Sequence, residues 1–359
     1  MNKHSMIGLD TAKSVFQLHG LDEAGTCTLT RRLKRNELES FFRKLDPCVV
    51  ALEACGAAYH WARLLLTLGH QVKLVPPQFV KRFLEGSRKT DARDAKALAL
   101  AGRSVDVRVV PVRNEAEQAG LAVLSARRLL VNQRTQTGNS LRGHLAEFGL
   151  VARTGDHGLE GLLNKVEAGE TSVPAAALEA VAALAWQWRA LGERIAKLTV
   201  RLTTEARSNA KTRRLMQVPG VGPITAMAFV LKVPDAKRFA AARGCAAWLG
   251  LVCNERSSGS KRKLSGITKA GDEDLRSLLV QGAASVIMAA KRRRGKDTDP
   301  GTDPGTDPWL RRMIATKKFK VAAVALAART TRTLWAMLKT GADYDPKHHT
   351  QTLLTPKTC

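Results

Sequence analysis

Apolar and polar positions change rhythm near residue 112. Before it, short β-type runs alternate with helical stretches. Met6–Leu9, Ser14–Leu18 and Cys27–Leu33 read as consecutive strands, joined by turns at Thr11–Lys13 and Asp22–Gly25. Asn36–Leu45 reads as a helix, Cys48–Leu52 as a buried strand, Tyr59–Leu68 as a helix, and Gln71–Val75 as a strand stopped by Pro76 and Pro77. Three strands followed by alternating helix and strand describe a mixed α/β sheet over residues 1–112.

Beyond Asn114 strand signals nearly vanish, so the fold class is α/β plus all-α. Residues 115–148 read as one long basic helix carrying Arg127, Arg128, Arg134 and Arg142. Residues 176–204 read as another, in which Val181, Trp188, Ile195 and Leu202 recur every seven positions, with Leu184, Leu191 and Leu198 three places later. Such an a/d seam needs a partner, either the preceding helix in an antiparallel hairpin or a second protomer. Residues 113–208 therefore form a coiled-coil region, and 209–345 a third, mainly helical region with loops rich in Gly and Lys. The tandem repeat DTDPGTDPGTDP (297–308) reads as an expanded surface loop, and residues 346–359 as a disordered tail.

Composition narrows the class. A chain of 359 residues suggests two or three domains, each able to bury a core. Lys plus Arg number 58 against 32 Asp plus Glu, a net charge of +26 that concentrates polyanions around the molecule. Nucleic acid is the natural partner, and a membrane surface the weaker alternative. The start, MNKHSMIGLD, lacks the apolar core of a signal peptide, and no run of about 18 apolar residues occurs, so a cytoplasmic location and no membrane span are expected. Cysteines at 27, 48, 55, 245, 253 and 359 include no C-x-x-C pair, and the eight histidines complete no zinc spacing; reduced thiols are expected.

Four acids stand where chemistry could use them. Asp10 follows the apolar run Met6–Leu9, and Glu53 follows Val49–Leu52, each at the end of a strand. Asp91 and Asp94 open a helix in SRKTDARDAKALALA, their i, i+3 separation placing both on one face of its first turn. If the two strands are neighbours and the helix crosses their ends, the four converge, an arrangement that like-charge repulsion disfavours without a cation. Magnesium, which keeps open positions for substrate phosphate, would resolve it. Each acid also has an ordinary role: Asp10 in a turn, Glu53 on the surface, Asp91 and Asp94 in a helix cap.

Two segments could bind phosphate. LMQVPGVGPITAMAFV (215–230) has the form of a helix-hairpin-helix, its Gly220 and Gly222 allowing backbone N–H groups to face a phosphate; a plain glycine-rich turn is the alternative. CNERSSGSKRKLSGITKAG (253–271) sets Ser257, Ser258 and Ser260 beside Lys261, Arg262 and Lys263. Clustered cations can hold a phosphodiester and stabilise the charge that builds as a serine oxygen attacks, although such a loop is also a common flexible phosphate binder.

The ordered set GLDTAK, ALEACG, TDARDAKALA, VPGVGPITA, AAWLGLV, SSGSKRKLSGITKAGDEDLRSLLVQGA and FKVAAVALAARTTRTLWAML resembles the DEDD-type insertion-sequence transposases of the "one-ten" class, relatives of the Piv-type DNA invertases, over roughly residues 6–345. The resemblance implies an RNase H-like, resolvase-type domain over 1–112, a coiled-coil middle over 113–208 and a transposase domain over 209–345. It implies Mg2+ or Mn2+ on Asp10, Glu53, Asp91 and Asp94, a serine nucleophile that maps to Ser258 with Ser257 as the neighbouring option, and action of the two in a composite site. It implies donor and target DNA as substrates, paired by a structured guide RNA encoded at the element's end. A second glycine usual after the serine–glycine pair is Ser260 here, and the DPGT repeat enlarges a loop that is usually short.

The expected chemistry is attack of Ser258 on a phosphodiester, giving a phosphoserine link that another strand's hydroxyl resolves. A guide RNA suits a basic chain with 5% aromatic residues, because an A-form duplex is held by backbone and shape. The competing readings are a metal-dependent junction resolvase or nuclease using the acids alone, a site-specific invertase, and an inactive nucleic-acid-binding remnant. The seam and the exchange of four strands favour a homodimer or tetramer.

Overall fold

A computed structural model describes residues 4–84, 90–256, 263–294 and 307–346. The chain divides into two compact units, Met1–Gln118 and Ala119–Cys359. The tandem DPGT repeat up to residue 306 and the tail from 347 lie outside the described residues.

The first unit is built on a five-stranded sheet of order β3-β2-β1-β4-β5, from β1 (Met6–Thr11), β2 (Val15–Leu21), β3 (Cys27–Lys34), β4 (Val49–Glu53) and β5 (Gln71–Val75). β1, β2 and β3 form an antiparallel meander, while β4 and β5 run parallel to β1. The sheet is therefore mixed, as the pattern of apolar runs requires. α1 (Leu38–Arg43) and α2 (Ala58–Thr67) cover one face through Phe42, Ala62 and Leu65, against Ile7, Leu9, Val50 and Leu52. After the short α3 (Pro77–Val80), α4 (Asp91–Arg103) covers the other face with Ala97, Leu98 and Ala101 against Met6, Leu21, Ala51 and Val75.

The central strands β1 and β4 read as continuous apolar runs because both of their faces are covered. β1 extends further than its apolar run: Asp10 and Thr11 stay in the ladder opposite Gln17 and Phe16. Asp10 thus stands inside the strand rather than just past it. At Gly8 the backbone of α4 comes so close that an added Cβ would lie 2.0 Å from the Ala95 carbonyl oxygen and 2.5 Å from the Ala99 nitrogen.

In the second unit, α5 (Glu115–Ala146), which belongs to it from Ala119 on, and α7 (Ala175–Ser208) run antiparallel, with α6 (Asp156–Glu167) between them in the chain. Arg127 Nε donates to Thr199 Oγ1 at 2.7 Å, and the Arg134 guanidinium lies 4.2 Å from the Trp188 ring centroid. The seam finds partners within the chain. Val181 and Trp188 pack with Leu141, Leu145, Leu159 and Leu163, and Leu202 packs with Met227, Leu231 and Leu121. The hairpin alternative is the one observed. The pattern of apolar positions predicts no element over α6.

The remainder comprises α8 (Ala210–Leu215), α9 (Pro223–Lys232), α10 (Ala242–Trp248), a ribbon of β6 (Cys253–Glu255) and β7 (Leu264–Ile267), α11 (Glu273–Arg294), α12 (Pro308–Thr316) and α13 (Phe319–Thr340). Leu215, Phe229, Leu249, Leu275, Leu279 and Leu334 form its core. The ribbon interrupts an otherwise helical region. Among the described residues no helix is long and apolar enough to cross a membrane, and Cys27, Cys48, Cys55, Cys245 and Cys253 are free thiols.

Candidate active site

Strand parity carries two of the acids to one face. Side chains alternate along a strand, so residues two apart share a side. Gly8 on β1 and Ala51 on β4 both face α4: an added Cβ on Gly8 meets Ala95 and Ala99, and Ala51 lies under Gly102. Two residues on from each are Asp10 and Glu53, beyond the paired Leu9 and Leu52 of these parallel strands. Both acids therefore point to the α4 side at the carboxyl ends of adjacent strands.

α4 supplies the others. Thr90 caps it by accepting from the Arg93 N–H, and Asp91 and Asp94 occupy its first turn, where the helix dipole favours negative charge. Asp10, Asp91 and Asp94 each present a carboxylate oxygen within 4.8 Å of the other two; Asp91 is exposed and the other two half-buried. Glu53 is half-buried on the same side but outside this group. The structure thus brings together three of the four acids read from the sequence, with the fourth on the adjacent strand end.

An all-carboxylate donor set suits a hard divalent cation. With oxygen bonds near 2.1 Å, opposite ligands of such an ion stand about 4.2 Å apart, so the observed spacing needs only small side-chain rotations. The residues fit a divalent cation. On the same face His19 lies opposite Gly8 in β2, and burial together with the nearby Lys96 holds its imidazole below the ordinary value. At the strand ends Thr11 Oγ1 lies 3.8 Å from Cys55 Sγ, linking the residues that follow Asp10 and Glu53. No local sequence signal marks His19, Lys96 or this contact.

The glycine turn joins α8 to α9, and its two glycines differ. Gly220 has φ +81°, and an added Cβ would lie 2.6 Å from the Gly282 carbonyl oxygen in α11; the reverse approach, Gly282 to the Gly220 oxygen, is 2.0 Å. Gly220 serves close backbone packing. Gly222 is the N-cap of α9 with open space around it. Ala226, fully buried, occupies the position where close packing needs a small side chain.

Ser257, Ser258, Ser260, Lys261 and Arg262 lie outside the described residues. The chain leaves and re-enters the described part through the β6–β7 ribbon, where Arg256 N donates to the Lys263 carbonyl at 2.9 Å; Lys263 is exposed. Arg276 fastens the base of this ribbon, donating through Nη1 to the carbonyls of Leu249 at 3.1 Å and Ala270 at 2.8 Å. No local sequence signal marks this clamp.

Two family models match separate parts of the chain. Residues 7–149, which carry the four acids, match the model of the IS110 DEDD transposases, and residues 212–298 match that of the transposase IS116/IS110/IS902 family. A Sinorhizobium fredii protein named as a transposase is 39% identical over 94% of this chain and 85% of its own length. A Pseudomonas aeruginosa protein named as a family 20 transposase is 41% identical over 95% of this chain and 99% of its own. The transposase for insertion sequence element IS1111A of Coxiella burnetii is 34% identical over 94% and 90%. Similarity of this breadth defines a DNA transposase, an enzyme of recombination. Within that class the chain belongs to the IS116/IS110/IS902 family, with the DEDD-type amino-terminal part of IS110.

Proposed function

We propose that this insertion-sequence transposase cuts and rejoins DNA with Asp10, Glu53, Asp91 and Asp94 as ligands of Mg2+ or Mn2+ and Ser258 as nucleophile. The observation that carries the reading is the convergence of Asp10, Asp91 and Asp94 within 4.8 Å. The meander followed by two parallel strands supports an RNase H-like domain over 1–112, followed by the coiled-coil region (113–208) and the transposase domain (209–345). A divalent ion at the acids supplies Lewis-acid stabilisation of charge developing on the phosphate.

The chain's own groups do the rest. The Ser258 oxygen forms a bond to phosphorus as the bond to the departing sugar oxygen breaks; the serine proton passes to solvent, and the departing hydroxyl acquires one. A hydroxyl of a second strand reverses the exchange and frees the serine, so phosphodiester bonds are conserved without a nucleotide cofactor. Lys261, Arg262 and Lys263 stabilise the phosphate oxygens, and Gly222, more than the packed Gly220, offers an open turn to a backbone phosphate. Donor and target DNA are selected through a structured guide RNA held by its backbone. Assembly is as a homodimer or tetramer in the cytoplasm.

Denaturing electrophoresis of the reaction with labelled DNA tests this. The wild type is expected to give a covalent protein–DNA adduct that Ser258→Ala abolishes and Asp10→Asn reduces by orders of magnitude. An undiminished adduct in Ser258→Ala overturns the nucleophile, and Ser257→Ala then reports on the neighbouring serine. Free cleaved ends without any adduct would indicate hydrolysis by the acids alone, as in a junction resolvase.

A further inference from the structure

A second concentration of charge lies wholly within the carboxyl-terminal unit. α10 packs against α13. Arg243 lies near the start of α10, and Arg329 and Arg332 lie one turn apart on α13. Arg329 is committed. Its side chain is 13% exposed, ion-paired to Asp307, with its guanidinium 4.8 Å from the Trp309 ring centroid. Arg243 and Arg332 differ: both are exposed, and neither has a hydrogen-bond or ion-pair partner among the described residues.

The charges of Arg329 and Arg243 both reach Arg332. Although Arg332 reaches solvent, partial burial of its side chain, then the charges of Arg329 and Arg243, push it below its ordinary value. Tyr344 shares the field of Arg329 and Asp307, and its backbone N–H donates to Gln217 Oε1 at 2.9 Å, which fixes the segment after α13 beside the cluster.

Uncompensated like charges from two separate helices are unfavourable unless an anion joins them. A planar guanidinium fork matches the oxygens of a phosphate, and two forks on different helices suit successive phosphates of a backbone better than a single small anion. We propose that Arg243 and Arg332 form a phosphodiester subsite, with Arg329 held by Asp307 and Trp309 as the fixed charge behind them. The subsite is independent of the carboxylate cluster and of Ser258. It contacts backbone without reading sequence.

The test is the salt dependence of binding by the full chain, using a DNA duplex and an RNA duplex of the same arbitrary sequence. Each phosphate contact contributes about 0.9 to the slope of log affinity against log salt on B-form DNA, so Arg243→Gln with Arg332→Gln should lower that slope by about 1.8, and either change alone by about 0.9. A control with the same loss of charge at exposed Lys44 and Lys197 should leave it nearly unchanged. Arg243→Lys with Arg332→Lys should keep the slope but weaken binding several-fold, because the charge remains and the fork is lost. A reduction confined to DNA, or confined to RNA, supports the subsite and names its strand. Slopes in the Gln and control variants that agree on both duplexes overturn it, whatever the fate of the adduct assay.

Discussion

Replacing Gly8 by alanine is the smallest change that tests whether α4 is seated on β1 as a positioning device. The new Cβ would stand 2.0 Å from the Ala95 carbonyl oxygen and 2.5 Å from the Ala99 nitrogen, where side-chain Cβ atoms essentially never come closer than 3.0 Å. The obstructing atoms are helix backbone, so no side chain can rotate away. β1 is held between β2 and β4, and α4 must therefore lift by about 1 Å. Overpacking of this kind costs about 1–3 kcal/mol, less than the ~5–15 kcal/mol stability of a typical domain, so the variant folds with a lower melting temperature. Asp10 lies two residues from Gly8, and Asp91 and Asp94 ride on the displaced helix. A misplacement of about 1 Å can cost about 10²-fold in rate. The assay pairs thermal melting with DNA strand cleavage; Gly56→Ala, with open space around it, is the silent control. A Gly8→Ala protein with unchanged melting and unchanged cleavage would refute the reasoning.

Asp94→Asn should abolish the rise in melting temperature that Mg2+ gives the wild type, while melting in EDTA shifts little: relief of repulsion between carboxylates whose oxygens lie within 4.8 Å, about 1 kcal/mol in a water-like dielectric, is offset by loss of a helix-dipole interaction of about 0.3–1 kcal/mol. Equal Mg2+-induced shifts in both proteins would remove Asp94 from the ligand set. Gly220→Ala should lower the urea midpoint, because it forces α11 away and places alanine at φ +81°, whereas Gly222→Ala should leave the midpoint unchanged; the reverse order would contradict the packing. Burial pushes the thiols of Cys48 and Cys245 up to about 11 and about 12. The unfolded chain gives up those protons first, so stability should fall as pH rises from about 9 towards those values. Urea unfolding at a series of pH values should show a shallower alkaline decline in Cys245→Ala, and an identical decline would exclude the thiol.

The carboxylates were legible because their signals are local. An acid two residues beyond an inward position of a buried strand shares its face, and an i, i+3 pair at a capped helix start shares a turn; neither fact needs a partner. What failed was non-local. β6 and β7, three and four residues long with no alternation, exist because the chain returns on itself and backbone groups pair across the gap. α6 carries apolar Leu159, Leu163 and Val166 at helical spacing, but Gly158 and Gly161 lower its intrinsic propensity, and packing against α7 outweighs that cost. Gly220 fits a phosphate-facing turn in one dimension. Its close neighbour Gly282 is far along the chain, and nothing local announces it.

Charge placement gives the proposed site its logic. A chain of net charge +26 attracts nucleic acid from a distance, yet at the cluster of Asp10, Asp91 and Asp94 a phosphodiester would meet concentrated negative charge. Long-range attraction and repulsion at this cluster are separable, because the far field follows the net charge while the contact energy follows the nearest groups. On the proposed reading the acids reject a bare phosphate until a divalent cation reverses the local sign. Holding the nucleic acid and reacting with it therefore depend on different charges. The rigid elements follow the same division: the acids occupy a central strand and a capped helix start, where spacing must be kept, whereas Arg243, Arg332 and Lys263 occupy exposed positions, where a long side chain can follow a backbone.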